Sequence, residues 1–507
     1  MMRPSSLSLL ALTLVSALLA GCNLAPRYQA PTLPVPATVT PALAQTAPVG
    51  DAQALPESGP MQWQDFVQEP RLRQIVAMAL DNNRDLRVAL LAIERARAQY
   101  GISRADLLPS VNATGIGNRS RTADDLTAAG RPNTSGQYSA TLGFASYEID
   151  FFGRVRNLGD AALQEFLRVA ENQRSVQLSL VAEVMNAWLQ IDADARRLQL
   201  ARETLRTRQQ VLELTRRSHE LGAASALALA QVQSSADSAR VDAASYTSQL
   251  ARDRHALALV VGASVDNTLL PDSVAAPAPD TAATTGATGA IPTLGAPAAP
   301  AAVLLGVAPD LPSSVLLRRP DLRAAEHQLR GSHASIGAAR AAFFPTITLT
   351  ASVGTASNAL SGLFNDGNGT WVFAPQLRLP IFDAGRNQAN LRVAEVARDT
   401  ALAQYEKAIQ TAFREVADAL AERATLDERL VAQRSLVQAS QRALELSDAR
   451  FRLGADSYLA VLDAQRSLYT AQQGEITLKL AEQLNRTTLY KVLGGQWSSA
   501  AALQGGS

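Results

Sequence analysis

Cysteine is almost missing from this sequence: 507 residues hold one, Cys22. No internal disulfide can close, so the fold does not rest on a disulfide framework. Aromatic residues make up only 5%, and 47 Lys+Arg against 46 Asp+Glu leave a formal charge of +1. That balance lacks the basic excess and aromatic-basic motifs of nucleic-acid binding. Beyond residue 20 no apolar stretch approaches the ~20 residues a membrane-spanning helix requires. Proline is absent from 133–270 and again after Pro380, and from Arg386 to Leu453 glycine is absent too. The four histidines, His219, His255, His327 and His333, have neither metal-ligand spacing nor a cysteine partner, so no metal site is expected. His333 is read as a helix-surface residue. No nucleophile–base motif, metal cluster or phosphate loop points to an enzyme. The carboxylates Asp124 and Asp125 sit in a polar stretch read as a solvated loop.

What is present begins at that cysteine. Residues 1–21 carry one charge, Arg3, then an apolar run over 7–20 too short to span a bilayer. This is the pattern of an export signal. "LAGC" (19–22) looks like a bacterial lipobox, in which the cut falls before the cysteine and the new N-terminal residue is acylated. Cys22 is then a lipid attachment point carrying diacylglycerol and fatty acyl groups, with no other cofactor expected. Asn23, rather than Asp, fits delivery to the outer membrane.

Eight prolines between 23 and 60 mark an extended leader (22–60), and Ala, Pro, Thr and Gly dominate a linker over 273–312. Between and after these lie two repeats, 61–272 and 313–497, followed by a tail over 498–507. Residues 85–114 align with 321–350 without a gap at an offset of 236, and 10 of the 30 positions are identical. "LGAAS" (221–225) matches "LGADS" (453–457) at offset 232, and Gly262 and Gly494 keep that offset. Each half reads as helix, strand, loop, strand, very long helix, tight break and return helix.

Alternation supports the strands. In "TITLTASV" (346–353) threonines and serine share one face while Ile347, Leu349, Ala351 and Val353 share the other. Trp371, Phe373, Leu377, Leu379 and Ile381 likewise share a face; the first strand, "SVNATGIGN" (110–118), alternates poorly. A two-faced strand suits a membrane barrel, with lipid outside and water inside. It equally suits a sandwich. The helices tip the balance: 68 glycine- and proline-free residues from 386 to 453 predict about 100 Å of helix. Val184, Ile191, Leu198, Leu205 and Leu212 fall seven apart, as do Leu430, Val437, Leu444 and Phe451, which predicts coiled-coil packing. Four strands per chain cannot close a membrane barrel, and open edges in lipid are costly, so chains must pool strands. Three chains give twelve strands and two give eight; counting alone leaves both open.

The motifs "GCNLAPRYQAP", "LPSSVLLRRPDLRAAE", "YEIDFFGRVRN", "LPIFDAGRN" and "RFRLGADSYLAVLDAQRSLYTAQ" together make the chain resemble the TolC/OprM-like outer-membrane factors, in the lipoprotein branch serving drug efflux. The resemblance runs from Cys22 almost to the C-terminus; the long Ala/Pro/Thr linker departs from it. It implies a mainly α fold with a β-barrel portion. A homotrimeric 12-stranded outer-membrane barrel would be continued by a coiled-coil helical tunnel in the periplasm, passively conducting small toxic compounds. The implied partners are a periplasmic adaptor and an inner-membrane RND-type transporter. A protein-secretion duct of the same architecture, or a lipid-anchored coiled-coil scaffold, are the alternatives. Leu459, Asp463 and Arg466, four and three residues apart on one helix stripe, match the family's periplasmic gate. Read from the residues alone, Asp463 and Arg466 are a solvated surface pair worth under about 1 kcal/mol. The first repeat carries Leu227, Gln231 and Ser234 at the matching positions. Gly222 and Gly454 permit the backbone of the two breaks; the resemblance adds that both tips dock the adaptor.

Overall fold

The computed structural model describes residues 23–36, 62–275, 304 and 313–495. The signal segment, Cys22, most of the linker and the tail lie outside the described residues. Seven long helices are described: α1 (Pro70–Asn82), α2 (Arg84–Ala105), α3 (Arg154–Glu220), α4 (Ala226–Val261), α5 (Pro320–Ala341), α6 (Arg386–Arg452) and α7 (Tyr458–Val492). Four strands accompany them: β1 (Asn112–Arg121), β2 (Thr134–Ile149), β3 (Thr346–Ser357) and β4 (Gly369–Arg378). α3 and α6 have 67 residues each. The chain divides into two compact units, one from 1–32, 91–171 and 323–408, the other from 33–90, 172–322 and 409–507.

The first unit holds the strands as one antiparallel sheet in the order β1-β2-β3-β4. Its register gives two chemically distinct faces, because cross-strand partners share a side. Val353 lies between Leu142 and Trp371, Ala351 between Phe144 and Phe373, and Ile347 between Ile149 and Leu377. On the opposite face Thr348 lies between Glu148 and Gln376, and Thr114 faces Thr141. A bulge after Phe144 preserves this alternation: Ser146 turns to φ 54° and its N–H donates to Thr350 Oγ1 at 3.0 Å. The poor alternation of β1 has a steric cause. A Cβ on Gly117 would stand 3.2 Å from the Tyr138 ring of β2, so the glycine makes room for that ring.

Each passage from strand to long helix uses an aspartate as cap. Asp150 Oδ2 accepts from Arg156 N at 2.8 Å, and Asp383 Oδ2 from Asn387 N at 2.8 Å. Phe152 in the first of these passages stacks on Phe344 of the turn between α5 and β3, ring centroids 4.7 Å apart. The leader is docked on α5. Tyr28 donates to Glu326 at 3.0 Å, lies 4.8 Å from the Arg330 guanidinium and meets His333 edge-on at 5.7 Å. His333, expected on a surface, is therefore half-buried beneath the leader. That contact joins residues 305 apart in sequence, which no local pattern reports.

In the second unit Met185, Ile191, Leu257, Ile409, Leu426 and Leu489 are fully buried. The heptad positions Val184, Ile191, Leu198 and Leu212 of α3 are buried; on α6 Leu430 is buried while Phe451, near the break, is exposed. The repeats close alike. Asn83 Nδ2 donates to Val260 O at 2.7 Å, and Arg319 Nη1 to Val492 O at 3.0 Å. These pairs are related by the sequence offsets of 236 and 232. Gly262 and Gly494 end the return helices at φ 75° and 73°; a Cβ on Gly262 would meet Asn82 O at 2.5 Å.

Candidate channel surfaces and gate

The sheet supplies the first functional surface. β1 and β4 each pair on one side only among the described residues, and the apolar face of β3–β4 is exposed: Val353 61%, Trp371 78%, Phe373 62%. An apolar band over polar positions, at two open edges, is what a barrel segment presents before neighbours and lipid cover it.

The hairpin breaks supply the second. α3 and α6 end in the same Schellman geometry: Gly222 at φ 74° with Ala223 N donating to Ser218 O at 2.7 Å, and Gly454 at φ 72° with Ala455 N donating to Arg450 O at 2.9 Å. A Cβ at either glycine would meet nothing within 4 Å, so only the left-handed backbone demands glycine there. The flanks differ. Ser225 caps α4 through Ala228 N at 3.1 Å, whereas Arg450 pairs with Asp456 across the second break at 2.5 Å. That arginine holds the Asp456 carboxyl below the usual carboxylate range.

Just beyond the second break, α7 has two faces. Tyr458 and Leu462 pack on Leu212, Val232 and Ala236 of the first hairpin. Leu459, Asp463 and Arg466 face away: Leu459 is exposed, and Asp463 Oδ1 accepts from Arg466 Nη2 at 2.7 Å. The structure thus brings the gate candidates together as one solvent-facing stripe, with the ion pair made inside the chain. The seam beneath it carries no mark in the sequence. Arg208 of α3 is buried, donates to Ser235 O at 2.9 Å and lies 5.8 Å from the Tyr469 ring centroid. Its Nε and the Tyr458 hydroxyl have no hydrogen-bond partner among the described residues. Burial lowers the Arg208 pKa and pushes the Tyr458 phenol up to about 12. Tyr469 in turn donates to Asp242 at 3.2 Å. A buried arginine without a carboxylate leaves no signal in a heptad pattern.

A family model described as outer membrane efflux protein matches residues 75–263 and 311–495. The chain belongs to that family. The efflux protein is 43% identical over 490 residues to the antibiotic efflux pump outer membrane protein ArpC of Pseudomonas putida, covering 97% of this chain and 96% of ArpC. It is 42% identical over 490 residues to outer membrane protein OprJ of Pseudomonas aeruginosa, covering 97% and 96%. Among solved structures, a membrane protein from Pseudomonas aeruginosa superposes with a TM-score of 0.81 at 41% identity, covering 93% of this chain and all of the other. The open-state MtrE outer membrane channel of Neisseria gonorrhoeae gives 0.75 at 35% identity, covering 93% and 98%. The fold is therefore that of the outer-membrane efflux channels, and the two-faced sheet is its outer-membrane element.

The helical part of this efflux protein also holds an acidic pair, Asp194 buried and Asp253 half-buried. Asp194 of α3 accepts from Gln190 at 2.8 Å and from Arg197 at 2.7 Å, while Asp253 of α4 accepts from Gln249 at 2.8 Å. Burial and the adjoining Asp194 carboxyl push Asp253 up to about 6. Burial opposes ionisation of Asp194 as well, but hydrogen bonds from Asp253, Gln190 and Arg197 override it and hold that carboxyl below its ordinary range. Asp253 is raised above its unfolded value, so its contribution is greatest at low pH and is lost as pH climbs from about 4 through about 6. Asp253→Asn should therefore flatten the fall in melting temperature between about pH 4 and 7 relative to the native protein. Parallel pH profiles of the two would refute the shared proton.

Proposed function

We propose that this protein is the outer-membrane duct of a tripartite pump that expels drugs and other small toxic compounds. It works as a homotrimer, with β1 of one subunit pairing β4 of the next so that three sheets close a 12-stranded barrel. The observation that carries this reading is the four-stranded sheet with one apolar face, one polar face and two free edges. Antiparallel order makes the closing β4–β1 pair antiparallel too, so the barrel needs no change of strand direction. A periplasmic adaptor docks on the tips around Gly222 and Gly454, and an inner-membrane RND-type transporter supplies the energy. The polar inner face and the helical lumen only conduct. The names of the relatives, antibiotic and toluene efflux pumps among them, support small apolar or amphipathic cargo.

Deletion in the native host should lower the tolerated concentration of several unrelated antibiotics and of organic solvents, and the purified protein should form discrete channels in planar bilayers. Unchanged susceptibility with intact channels would remove the pump role; absence of channels would favour a scaffold. The duct is also tethered at Cys22 by acyl groups. Cys22→Ser should abolish palmitate labelling, since serine offers no thiol, while barrel insertion persists. Label retained in the variant would overturn the anchor.

A further inference from the structure

The docked leader ends at a cavity. Asn23 is the first described residue, and it lines a space of about 230 Å³ with Tyr100, Arg104, Leu107, Arg156 and Asp160. Two contacts hold the chain there: Arg340 donates to Leu24 O at 3.3 Å, and Ala25 lies so near Gly337 that a Cβ there would come within 2.8 Å. Within the leader, Asn23 Oδ1 accepts from Ala25 N at 3.0 Å. Arg156 is largely committed to Asp150, at 3.3 Å to the carboxylate and 2.9 Å to the backbone oxygen. The Arg104 guanidinium and the Tyr100 hydroxyl have no hydrogen-bond partner among the described residues. The walls thus offer unspent donors and one free carboxylate, Asp160. The volume is below the roughly 300–1,000 Å³ of a drug-sized site.

Such a space suits a small, uncharged, acceptor-rich group rather than a second acid. One lies a single peptide step away: the Cα of residue 22 is about 3.8 Å from that of Asn23. We infer that this cavity seats the polar head of the protein's own lipid, the glyceryl esters and N-acyl amide on Cys22. Arg104 and Tyr100 donate to the ester carbonyls, which accept and cannot donate. The acyl chains leave past Leu107 along the exposed Leu108 and Val111, which lead to β1. The anchor is then a bound ligand that fixes the leader's end beside the strand-to-helix crossing, not a loose tether. The inference rests on the lipid-anchor reading above.

Tyr100→p-benzoylphenylalanine, an aromatic for an aromatic, tests it by irradiation of native outer membranes and mass analysis of tryptic peptides. The expected product joins the segment bearing position 100 to the lipid on the N-terminal peptide, residues 22–27. Adding Arg104→Glu should lower that yield about tenfold or more, as loss of a hydrogen bond from a charged donor implies. An acylated N-terminal peptide recovered without cross-link overturns the cavity assignment alone. A cross-link to free phospholipid that survives in Cys22→Ser overturns it as well. An N-terminal peptide without acyl mass overturns the lipid-anchor reading itself. Leu107→p-benzoylphenylalanine repeats the measurement should the first variant fail to fold.

Discussion

Val353→Arg should destabilise the inserted barrel by about 2–4 kcal/mol, the penalty for a cation on the lipid face near the bilayer midplane. Val353 sits near the middle of β3, between Leu142 and Trp371, on the face that also carries Phe144, Phe373 and Ile347. Leu349→Arg, nearer the periplasmic end of the same face, should lose less. Thr348→Arg should lose little, because its neighbours are Glu148 and Gln376 on the polar side. The measurement is urea unfolding of refolded protein in lipid micelles, read by the heat-sensitive mobility of the barrel on gels. Equal losses at 348 and 353 would reverse or erase the assigned faces.

The double variant Asp463→Ala with Arg466→Ala should open the resting duct. The pair is solvent-exposed and lies three residues apart on α7, so its removal changes stability by less than about 1 kcal/mol. Any functional effect is then not unfolding. Threefold symmetry would convert the Leu459–Asp463–Arg466 stripe into stacked rings, and an acidic ring attracts cations in a pore. Asp463→Ala alone, which removes three carboxylates and leaves the arginines, should weaken block by multivalent cations by about tenfold or more, since one unit charge at 4 Å contributes about 1 kcal/mol even in water. In the double variant single-channel conductance should rise, as should sensitivity of whole cells to vancomycin-sized molecules. Gln231→Ala with Ser234→Ala, at the matching positions of the first repeat, should do much less. Wild-type conductance in the double variant, with wild-type cation block in Asp463→Ala, would reduce Asp463 and Arg466 to a surface pair.

Much of this is legible in the sequence, for identifiable reasons. The strand faces could be read because period two survives burial on one side, and the long helices because nothing breaks them between Arg386 and Arg452. Gly222 and Gly454 stood out because a left-handed turn admits few other residues. β1 was weak because two of its lipid-side positions, Gly115 and Gly117, are glycines, one of them making room for Tyr138. The bulge at Ser146 was invisible, since serine at positive φ has no sequence mark. The docking of Tyr28 under Arg330, the buried Arg208 and the Asp194–Asp253 pair all depend on partners far off in the chain. Periodicity reports which face a residue takes, and says nothing of what meets it there.

The outer edges of β1 and β4, unpaired among the described residues, bear on inheritance. A sheet that ends in open backbone on both sides cannot complete itself in lipid, so each subunit's strands are finished by its neighbours. A single faulty copy then spoils a ring in which the other copies are sound. In a cell expressing equal amounts of native and strand-defective chains that mix at random, only about one ring in eight would be wholly native, given a closed threefold assembly. Strand mutations of this kind should therefore behave as dominant, whereas loss of the whole gene on one of two replicons should be recessive.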